Sequence, residues 1–329
     1  MQVQHAGRLL VRPVSILLLA AAAGYASAQE YPTRPVRLIV PSSPGGGTDA
    51  SARIVQPRLS ELLGKPIVVE NRPGASGWIG AEAVLRAPPD GHALLMTNAT
   101  LAVSQSTLKK PPLDPLRDLA PVTQMARVPH MIGGHPSLPP RTVKELIAFM
   151  KARPGAVDFS AGNYGGHPHV TMALFMNMTG ISGNFVPYKS GNAGLVDGLS
   201  GQVPLLVGNL LVTLPHVRAG RLRAFGVTTA KRAAASPDIP TIAEAGVPGY
   251  ESEQWFGVMV PAATPRAVID RLHRELLKVL QENRTKERFI ADGGEVAWST
   301  TPDDFGAMLR AEIVKWAKVV KAAGIKPEF

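Results

Sequence analysis

Short runs of β-branched and other apolar residues alternate with helical patterns from residue 37 onward. This alternation is typical of βαβ units, so it predicts an α/β fold with largely parallel sheets. Pro57 lies inside the first predicted helix and should kink it. The predicted strands are 37–40, 66–70, 92–97, 157–160, 184–187, 204–207, 223–227 and 255–260.

Four helix starts are predicted from capping residues. Thr142 and Thr241 each stand three residues before a glutamate, which is the pattern of a capping box. Thr264 and Thr301 each precede a proline, which places a cap before a proline at the first helical position. The helix predicted over 265–281 has apolar residues every three or four positions, so one of its faces should pack against a core.

The chain contains no low-complexity linker that would separate two domains. Its proline-rich segments instead suggest that it passes from one lobe to another near 127–131 and returns near 251–257. We therefore predict a discontinuous first lobe, formed by 29–128 and 252–329, and a second lobe formed by 129–251.

The first residues have the pattern of a secretory signal. Arg8 and Arg12 precede an apolar run over 14–23, and the small residues Ala-Ser-Ala follow at 26–28. The apolar run has about half the length of a membrane-spanning helix. We expect residues 1–28 to be removed and the mature chain to be periplasmic, without stable membrane insertion.

Composition narrows the function further. The chain has no cysteine, which excludes disulfides, a thiol nucleophile and a thiolate metal site. The net charge is +10, and removal of 1–28 takes away two arginines and no acid, which leaves +8. A basic surface suits an anionic ligand, although scattered lysines and arginines are also ordinary solvated surface. Aromatic residues make up only 5%, so the stacking side chains of a nucleic-acid-binding surface are scarce.

The most informative segment is the strand at 37–40, which leads into a glycine-rich loop, 45–47, and then a predicted helix. Glycines let the backbone approach a ligand, and a helix N-terminus offers unpaired N–H groups to an anion. The same residues also satisfy G-x-G-x-x-A, with Glu70 ending the next strand, as in a dinucleotide fingerprint. A plain structural turn is the third interpretation. The prolines before the loop, the charge of Asp49 and the predicted export all disfavour the dinucleotide.

Similar loops follow other predicted strands. Ala75 and Ser76 lie in one of them, and Asn98 ends the third strand. In open α/β sheets ligands lie outside the carboxyl ends of the strands, so these loops should share a cleft. A further strand leads into a loop and helix over 160–169, which would supply the opposite side of a clamshell.

Metal and catalytic chemistry find little support. His167 and His169 are two residues apart and diverge on a helix, with no carboxylate near them in sequence, so no metal site is predicted. No G-x-S-x-G motif occurs, so the common hydrolase arrangement is missing. We predict no enzyme activity and no cofactor.

The motifs together resemble the Bug-type receptors, the extracytoplasmic solute-binding proteins of tripartite tricarboxylate transporters. The resemblance covers the whole mature chain. Its motifs include Pro44-Gly-Gly-Gly-Thr-Asp49, Val68-Val-Glu-Asn-Arg-Pro-Gly-Ala75, Pro88-Pro-Asp-Gly91, Val186-Pro-Tyr-Lys189 and Pro240-Thr-Ile-Ala-Glu-Ala-Gly246.

The resemblance implies a two-lobed periplasmic-binding-protein type II fold with the ligand cleft between the lobes. It implies that backbone groups of two loops hold a ligand carboxylate and that other residues line the remainder. The residues expected to bind the ligand are Ser42, Gly46, Gly47, Thr48, Asp49, Ala75, Ser76, Asn98, Ser160, Gly162, Tyr164, Gly165, Gly166, His169, Tyr188 and Asn209. Ser42 departs from the family, which commonly has an aromatic residue and a proline in this loop, and Gly166 stands where a serine is common.

The implied function is capture of a small organic carboxylate by a monomeric receptor and its delivery to membrane transporter subunits. The alternative is a periplasmic sensor whose liganded form is recognised by a signalling partner. Both would use the same fold, so the residues do not separate them.

Overall fold

The computed structural model describes residues 31–327, so the predicted signal peptide at 1–28 lies outside the described residues. The strands are β1 (Val36–Val40), β2 (Ile67–Asn71), β3 (Ala93–Asn98), β4 (Leu119–Gly134), β5 (Asp158–Ser160), β6 (Asn184–Val186), β7 (Leu205–Asn209), β8 (Arg223–Val227), β9 (Glu253–Pro261) and β10 (Glu295–Val296). The helices are α1 (Gly47–Leu63), α2 (Trp78–Leu85), α3 (Thr100–Thr107), α4 (Val143–Lys151), α5 (His167–Thr179), α6 (Gly191–Ser200), α7 (Leu210–Arg218), α8 (Arg266–Gln281), α9 (Asn283–Asp292) and α10 (Pro302–Ala322).

The strands form two sheet regions that share β4. In the first region the order is β2-β1-β3-β9-β4, with β10 also beside β4. In the second the order is β4-β7-β5-β6, with β8 also beside β4. Strands β1 to β3 are parallel, as are β5 to β7, whereas β9 and β4 run antiparallel to their neighbours. The α/β prediction is confirmed, with an antiparallel crossing region between two parallel sets.

Strand β4 was not predicted, and it is the longest strand among the described residues. It pairs with β9 up to Pro129 and with β7 from His130 onward. The change of partners falls inside the segment 127–131, where the sequence suggested a crossing between lobes. β9 begins at Glu253 and pairs with the first region. The lobe boundaries themselves remain a prediction.

The core explains why the first strand ends in an apolar run, residues 38–40. Val36, Leu38 and Val40 belong to a buried cluster with residues of α1 and α8, whereas Ile39 belongs to another with residues of α2 and α10. A strand with helices on both faces is apolar at nearly every position. Arg37, which pairs with Glu70, is the one charged residue of β1. A third cluster joins α4 and α5 to the second region.

The predicted helix starts have different outcomes. Thr142 caps α4, because its side chain accepts the N–H of Glu145. Thr301 caps α10. Thr241 makes its predicted bonds with Glu244, but the segment is a turn and not a helix. The prediction for Thr264 is wrong: α8 begins at Arg266 without a side-chain cap.

Helix α1 runs as one helix from Gly47 to Leu63 with Pro57 inside it. Within residues 31–327, no helix is both long enough and apolar enough to cross a membrane.

Candidate functional site

A cavity of about 150 Å³ lies between the two sheet regions. Its walls come from the loops after β1, β2 and β3 on one side and after β5, β6 and β7 on the other. Both sets of loops follow the carboxyl ends of parallel strands, where ligands of open α/β sheets bind. Among the described lining residues there is no aspartate or glutamate, and Lys189 is the only lysine or arginine.

Helix α1 begins at the cavity wall. Its N-cap is Gly46, which has no side chain to accept the N–H groups of the first turn. Gly47 and Thr48 follow it and also line the cavity. Because the first N–H groups of a helix have no partner within the helix, this start presents donors and a positive dipole end to the cavity.

Asp49 lies next to this start, but its carboxylate holds the loop and does not line the cavity. It accepts the N–H of Gly45 at 2.8 Å, Arg53 Nε at 2.9 Å and Asn71 Nδ2 at 3.0 Å. Burial raises the pKa of Asp49, but the hydrogen bonds from Arg53, Gly45 and Asn71 outweigh it and hold this pKa below its usual value. The carboxylate thus stays ionised and acts as an internal clamp on the glycine loop.

Polar side chains complete the first-lobe wall. Ser42 Oγ is buried and has no hydrogen-bond partner among the described residues. Thr48 Oγ1 accepts Asn98 Nδ2 at 3.0 Å, which connects the start of α1 to the end of β3. Buried polar atoms are rarely left unpaired, so the free Ser42 hydroxyl at the cavity marks a place for a polar ligand atom or water.

The second-lobe wall contains the starts of two more helices. Ser190 caps α6 by accepting the N–H of Ala193, and Asn209 caps α7 by accepting the N–H of Leu211. Lys189 immediately precedes the first of these caps. With α1 opposite, several helix N-termini converge on one cavity, which favours an anion.

Hydrogen bonds cross the cleft directly. Asn192 Nδ2 donates to the Pro44 carbonyl at 3.0 Å, and Asn163 Nδ2 donates to Ser76 Oγ at 2.8 Å. Each joins a second-lobe loop to a first-lobe loop, so the structure has the cleft closed.

Half of the expected ligand-binding residues line this cavity. They are Ser42, Gly46, Gly47, Thr48, Ser76, Asn98, Gly162 and Asn209. The other eight lie beside or behind the wall. They are Asp49, Ala75, Ser160, Tyr164, Gly165, Gly166, His169 and Tyr188.

Several of these eight have partners that explain their place. Ser160 Oγ donates to the Gly194 carbonyl at 3.2 Å, and Tyr188 bonds Asp197 through its hydroxyl. His169 Nδ1 accepts the N–H of Gly165 at 3.1 Å. Burial lowers the pKa of His169 to about 4, so this ring is neutral and acts as an acceptor within the loop.

Other lining residues were missed by the sequence reasoning. Asn163, Asn192 and Lys189 lie in or next to predicted loops, and their position before predicted helices could have indicated them. His130 was missed because it lies on the unpredicted strand β4. Nothing in the sequence around Gln254 indicated a functional residue. In the structure its Oε1 accepts the N–H of Ala99 at the start of α3.

The described residues contain no group of three or more histidine, cysteine, aspartate or glutamate side chains that would suit a metal ion. Two α/β lobes that share crossing strands, with an acid-free polar cleft between them, define a bilobal solute-binding protein of the type II periplasmic-binding fold.

Comparison with known proteins identifies the family. Residues 51–325 match the sequence family described as "Tripartite tricarboxylate transporter family receptor". Protein BugT of Bordetella pertussis is 38% identical over 321 residues, which cover 97% of this chain and 98% of BugT. The chain therefore belongs to the receptor family of tripartite tricarboxylate transporters, a family of solute-binding receptors and not of enzymes, and the predicted resemblance is confirmed.

Solved structures agree with this assignment. An R. palustris protein with adipate has a TM-score of 0.88 at 37% identity, covering 91% of this chain and 100% of that one. MatC from Rhodopseudomonas palustris with bound malate has a TM-score of 0.83 at 26% identity, covering 88% and 100%. The type II periplasmic-binding fold inferred from the sequence is confirmed.

Proposed function

We propose that this chain is a periplasmic receptor that captures a small organic carboxylate in the cleft and delivers it to the membrane subunits of its transporter. The observation that carries the proposal is the start of α1, which faces an acid-free cavity without a side-chain cap. A carboxylate there would accept the free N–H groups of Gly47 and Thr48. The relatives solved with adipate and malate support a carboxylate as the ligand class.

The other parts of the proposal follow from the same assignment. The chain is exported through residues 1–28 and acts as a monomer. Lobe closure buries the ligand, and the membrane subunits recognise the closed form because the ligand shifts the equilibrium towards it. Mass measurement of the exported protein tests cleavage after Ala28, and light scattering tests the monomer.

Calorimetry of the mature protein tests the ligand class. The panel contains dicarboxylates, tricarboxylates and monocarboxylates, each beside its uncharged amide. We expect at least one carboxylate to bind and its amide to fail, since the amide lacks the charge that the helix start favours. Absence of binding to every carboxylate would contradict the proposal.

A variant links the binding to this cavity. Ser42→Ala removes the unpaired buried hydroxyl at the wall, so affinity should fall by roughly threefold to tenfold, the net worth of a typical hydrogen bond. Ser200→Ala is the control, because its hydroxyl bonds Asp197 at an exposed site away from the cavity. Equal affinity of the two variants would place the ligand away from Ser42.

A further inference from the structure

Behind the cleft lies a pair of buried histidines that the proposed carboxylate site does not use. His130 is on β4 where that strand changes partners, is 1% exposed, and lines the cavity. His167 begins α5 and is 0% exposed. His130 Nε2 and His167 Nδ1 are 3.0 Å apart, which is hydrogen-bond distance.

A single proton lies between the two rings when both are neutral, so each ring determines the tautomer of the other. On the far side, His167 Nε2 faces Ser252 Oγ at 3.5 Å, and that hydroxyl bonds Thr171 at 2.7 Å. On the near side, His130 Nδ1 is buried without a partner in hydrogen-bond geometry. The Gly208 carbonyl is near enough to favour a proton on this ring. Among the described residues, the nitrogen of the pair that lacks a partner in hydrogen-bond geometry is thus on the ring next to the cavity.

The surroundings keep the pair neutral while no ligand is bound. Burial lowers the pKa of His130 to about 4, and the Gly208 carbonyl only partly offsets this. Burial, His130 and Lys315 together lower the pKa of His167 well below its usual value. Lys315 is on α10, whose Trp316 meets the His167 ring edge-on.

The nearby acids are engaged elsewhere. Glu312, on α10, faces Lys315 at 3.7 Å and accepts the indole N–H groups of Trp316 and Trp255. Glu253 adjoins Ser252 on β9 and lies 3.6 Å from Arg127 on β4. The other residues around the pair are uncharged. They are Gly208 and Asn209 on β7, Gln254 on β9, Thr100 on α3 and Thr171 on α5. An anion in the cavity is thus the charge missing from this environment.

We propose that the His130–His167 pair is a proton site linked to the ligand cleft, so that capture of an anionic ligand and uptake of one proton by the pair favour each other. The proton comes from solvent, and no covalent bond changes. This second proton adds to the proton already shared between the two rings. The His130 ring is then an imidazolium, and its Nδ1–H is directed at the Gly208 carbonyl or at the ligand. The inference rests on the proposed function, since it requires an anion in the cleft.

The direction and size of the expected pH effect follow from the linkage between proton binding and ligand binding. An opposite charge within about 4–6 Å raises the pKa of a histidine by roughly one to three units. If the ligand raises the pKa of the pair from about 4 to about 6, affinity increases by about tenfold between pH 7 and pH 5. Under the same assumption the protein takes up about 0.7 of a proton per ligand at pH 5.5. Reciprocity of binding free energies requires both effects together.

Calorimetry of the mature protein with adipate and with malate, at pH 5.5 and pH 7 in buffers of different ionisation enthalpy, measures this uptake directly. The variants are His130→Gln and His167→Gln, and His135→Gln is the control because His135 is only partly buried, bonds Ser137 and does not line the cavity. The ionisation of the ligand is the same for all proteins, so differences between variants report the pair. We expect uptake in the unmodified chain and in His135→Gln, and its loss in the other two.

NMR of the unmodified protein labelled with ¹⁵N-histidine is a second measurement that requires no variant to fold. The ¹⁵N signals of His130 and His167 should both change when adipate or malate is added at pH 5.5, and together they should report one additional protonated nitrogen. Binding without these shifts, or with the same proton uptake in His130→Gln, would overturn the inference and leave the carboxylate receptor intact. Failure of every carboxylate to bind would overturn the receptor function and this inference with it.

Discussion

Asp49 shows how one residue can serve a site without contacting its ligand. Its buried carboxylate accepts the N–H of Gly45 in the loop, Nε of Arg53 on α1 and Nδ2 of Asn71 at the end of β2. This network orients the glycine loop and leaves the N–H groups of the α1 start directed to the cavity. The sequence motif shows that the aspartate follows the glycine loop, but the direction of its carboxylate also depends on Asn71, which is distant in the chain and was not predicted as its partner.

We predict that Asp49→Asn lowers the free energy of unfolding at pH 7 by about 2 kcal/mol, since hydrogen bonds to a charged group are lost. The pKa of Asp49 is depressed in the folded chain, so its contribution is present above the unfolded pKa of about 4 and is lost as pH falls through the folded pKa. The difference between the variant and the unmodified chain should therefore shrink on acidification. Urea unfolding at pH 7 and pH 3 measures it. Asp270→Asn, at an exposed ion pair with Arg266, is the control and should change little.

Gly47 lies directly against Asn209 on the other side of the cleft. A Cβ added there would lie 2.6 Å from Asn209 Cγ, across the cleft. We predict that Gly47→Ala prevents full closure and weakens carboxylate binding by roughly tenfold to a hundredfold, the cost of modest overpacking. Stability should be little changed, because opening of the cleft relieves the clash.

A second substitution distinguishes this clash from other effects of alanine. Asn209→Gly removes the clashing side chain and costs only a few tenths of a kcal/mol as an N-cap. The double variant should therefore regain much of the affinity in calorimetry. Failure of this rescue would mean that Gly47→Ala acts through the loop and not through Asn209.

At the scale of the element, two similar sequences give different helix starts. Thr264 and Thr301 both precede proline, but Asp304 stands at the third position of α10, whereas the corresponding residue of α8 is Ala267. Thr301 and Asp304 form a complete capping box. Thr264 Oγ1 is buried without a partner. The second residue after the proline therefore matters as much as the threonine.

We predict that Thr301→Ala lowers the free energy of unfolding by about 1 kcal/mol through loss of the cap. Thr264→Val should be neutral or stabilising, because it replaces an unpaired buried hydroxyl with a methyl group of similar size. Urea unfolding of the two variants at pH 7 makes the comparison. An equal loss in both would show that Thr264 also has a capping role.

Strand β4 marks the limit of prediction from the sequence. Its alternation is interrupted by Pro121 and Pro129, and proline within a run argues against a central strand. The structure accommodates Pro121 beside an irregularity in the pairing with β9, and Pro129 lies where β4 exchanges β9 for β7. Strands with helices on both faces were predicted from their apolar runs, whereas this crossing strand depends on partners that are distant in sequence.

The candidate site, like the fold, was predictable only where its features have a local cause in the sequence. The glycine loops were recognised because glycine before a helix has a local cause, a backbone that must approach a ligand. Which side chains face the cavity depends on lobe packing: Ser160, expected at the ligand, bonds the Gly194 carbonyl outside the cavity lining, and its role at the ligand stays a prediction. His130 was missed together with its strand.

At the scale of the whole molecule, the C-terminal helix joins the lobes in addition to the crossing strands. Helix α10 packs on the first region through the cluster that contains Trp316 and Leu309. It also reaches α5 of the second, since Asn177 Nδ2 donates to the Ala322 carbonyl at 3.1 Å. The His167 ring meets Trp316 in the same area. Movement between the lobes must therefore be compatible with contacts at both the strands and this helix.

The Asn192–Pro44 hydrogen bond crosses the cleft at an exposed site, so it should help determine the population of closed molecules. We predict that Asn192→Ala, which removes the bond to the Pro44 carbonyl, lowers carboxylate affinity by roughly twofold to tenfold and increases the radius of gyration of the unliganded protein. Asn184→Ala is the matched control, since it removes a bond from another asparagine Nδ2 to Asp158 within the second region. Calorimetry and small-angle X-ray scattering make the two measurements.

Because a ligand changes the equilibrium only through its different affinity for the two forms, saturating carboxylate should return Asn192→Ala to the dimensions of the unmodified complex. An Asn192→Ala protein that binds as tightly and is as compact as Asn184→Ala would show that this bond is a consequence of closure and not a cause of it.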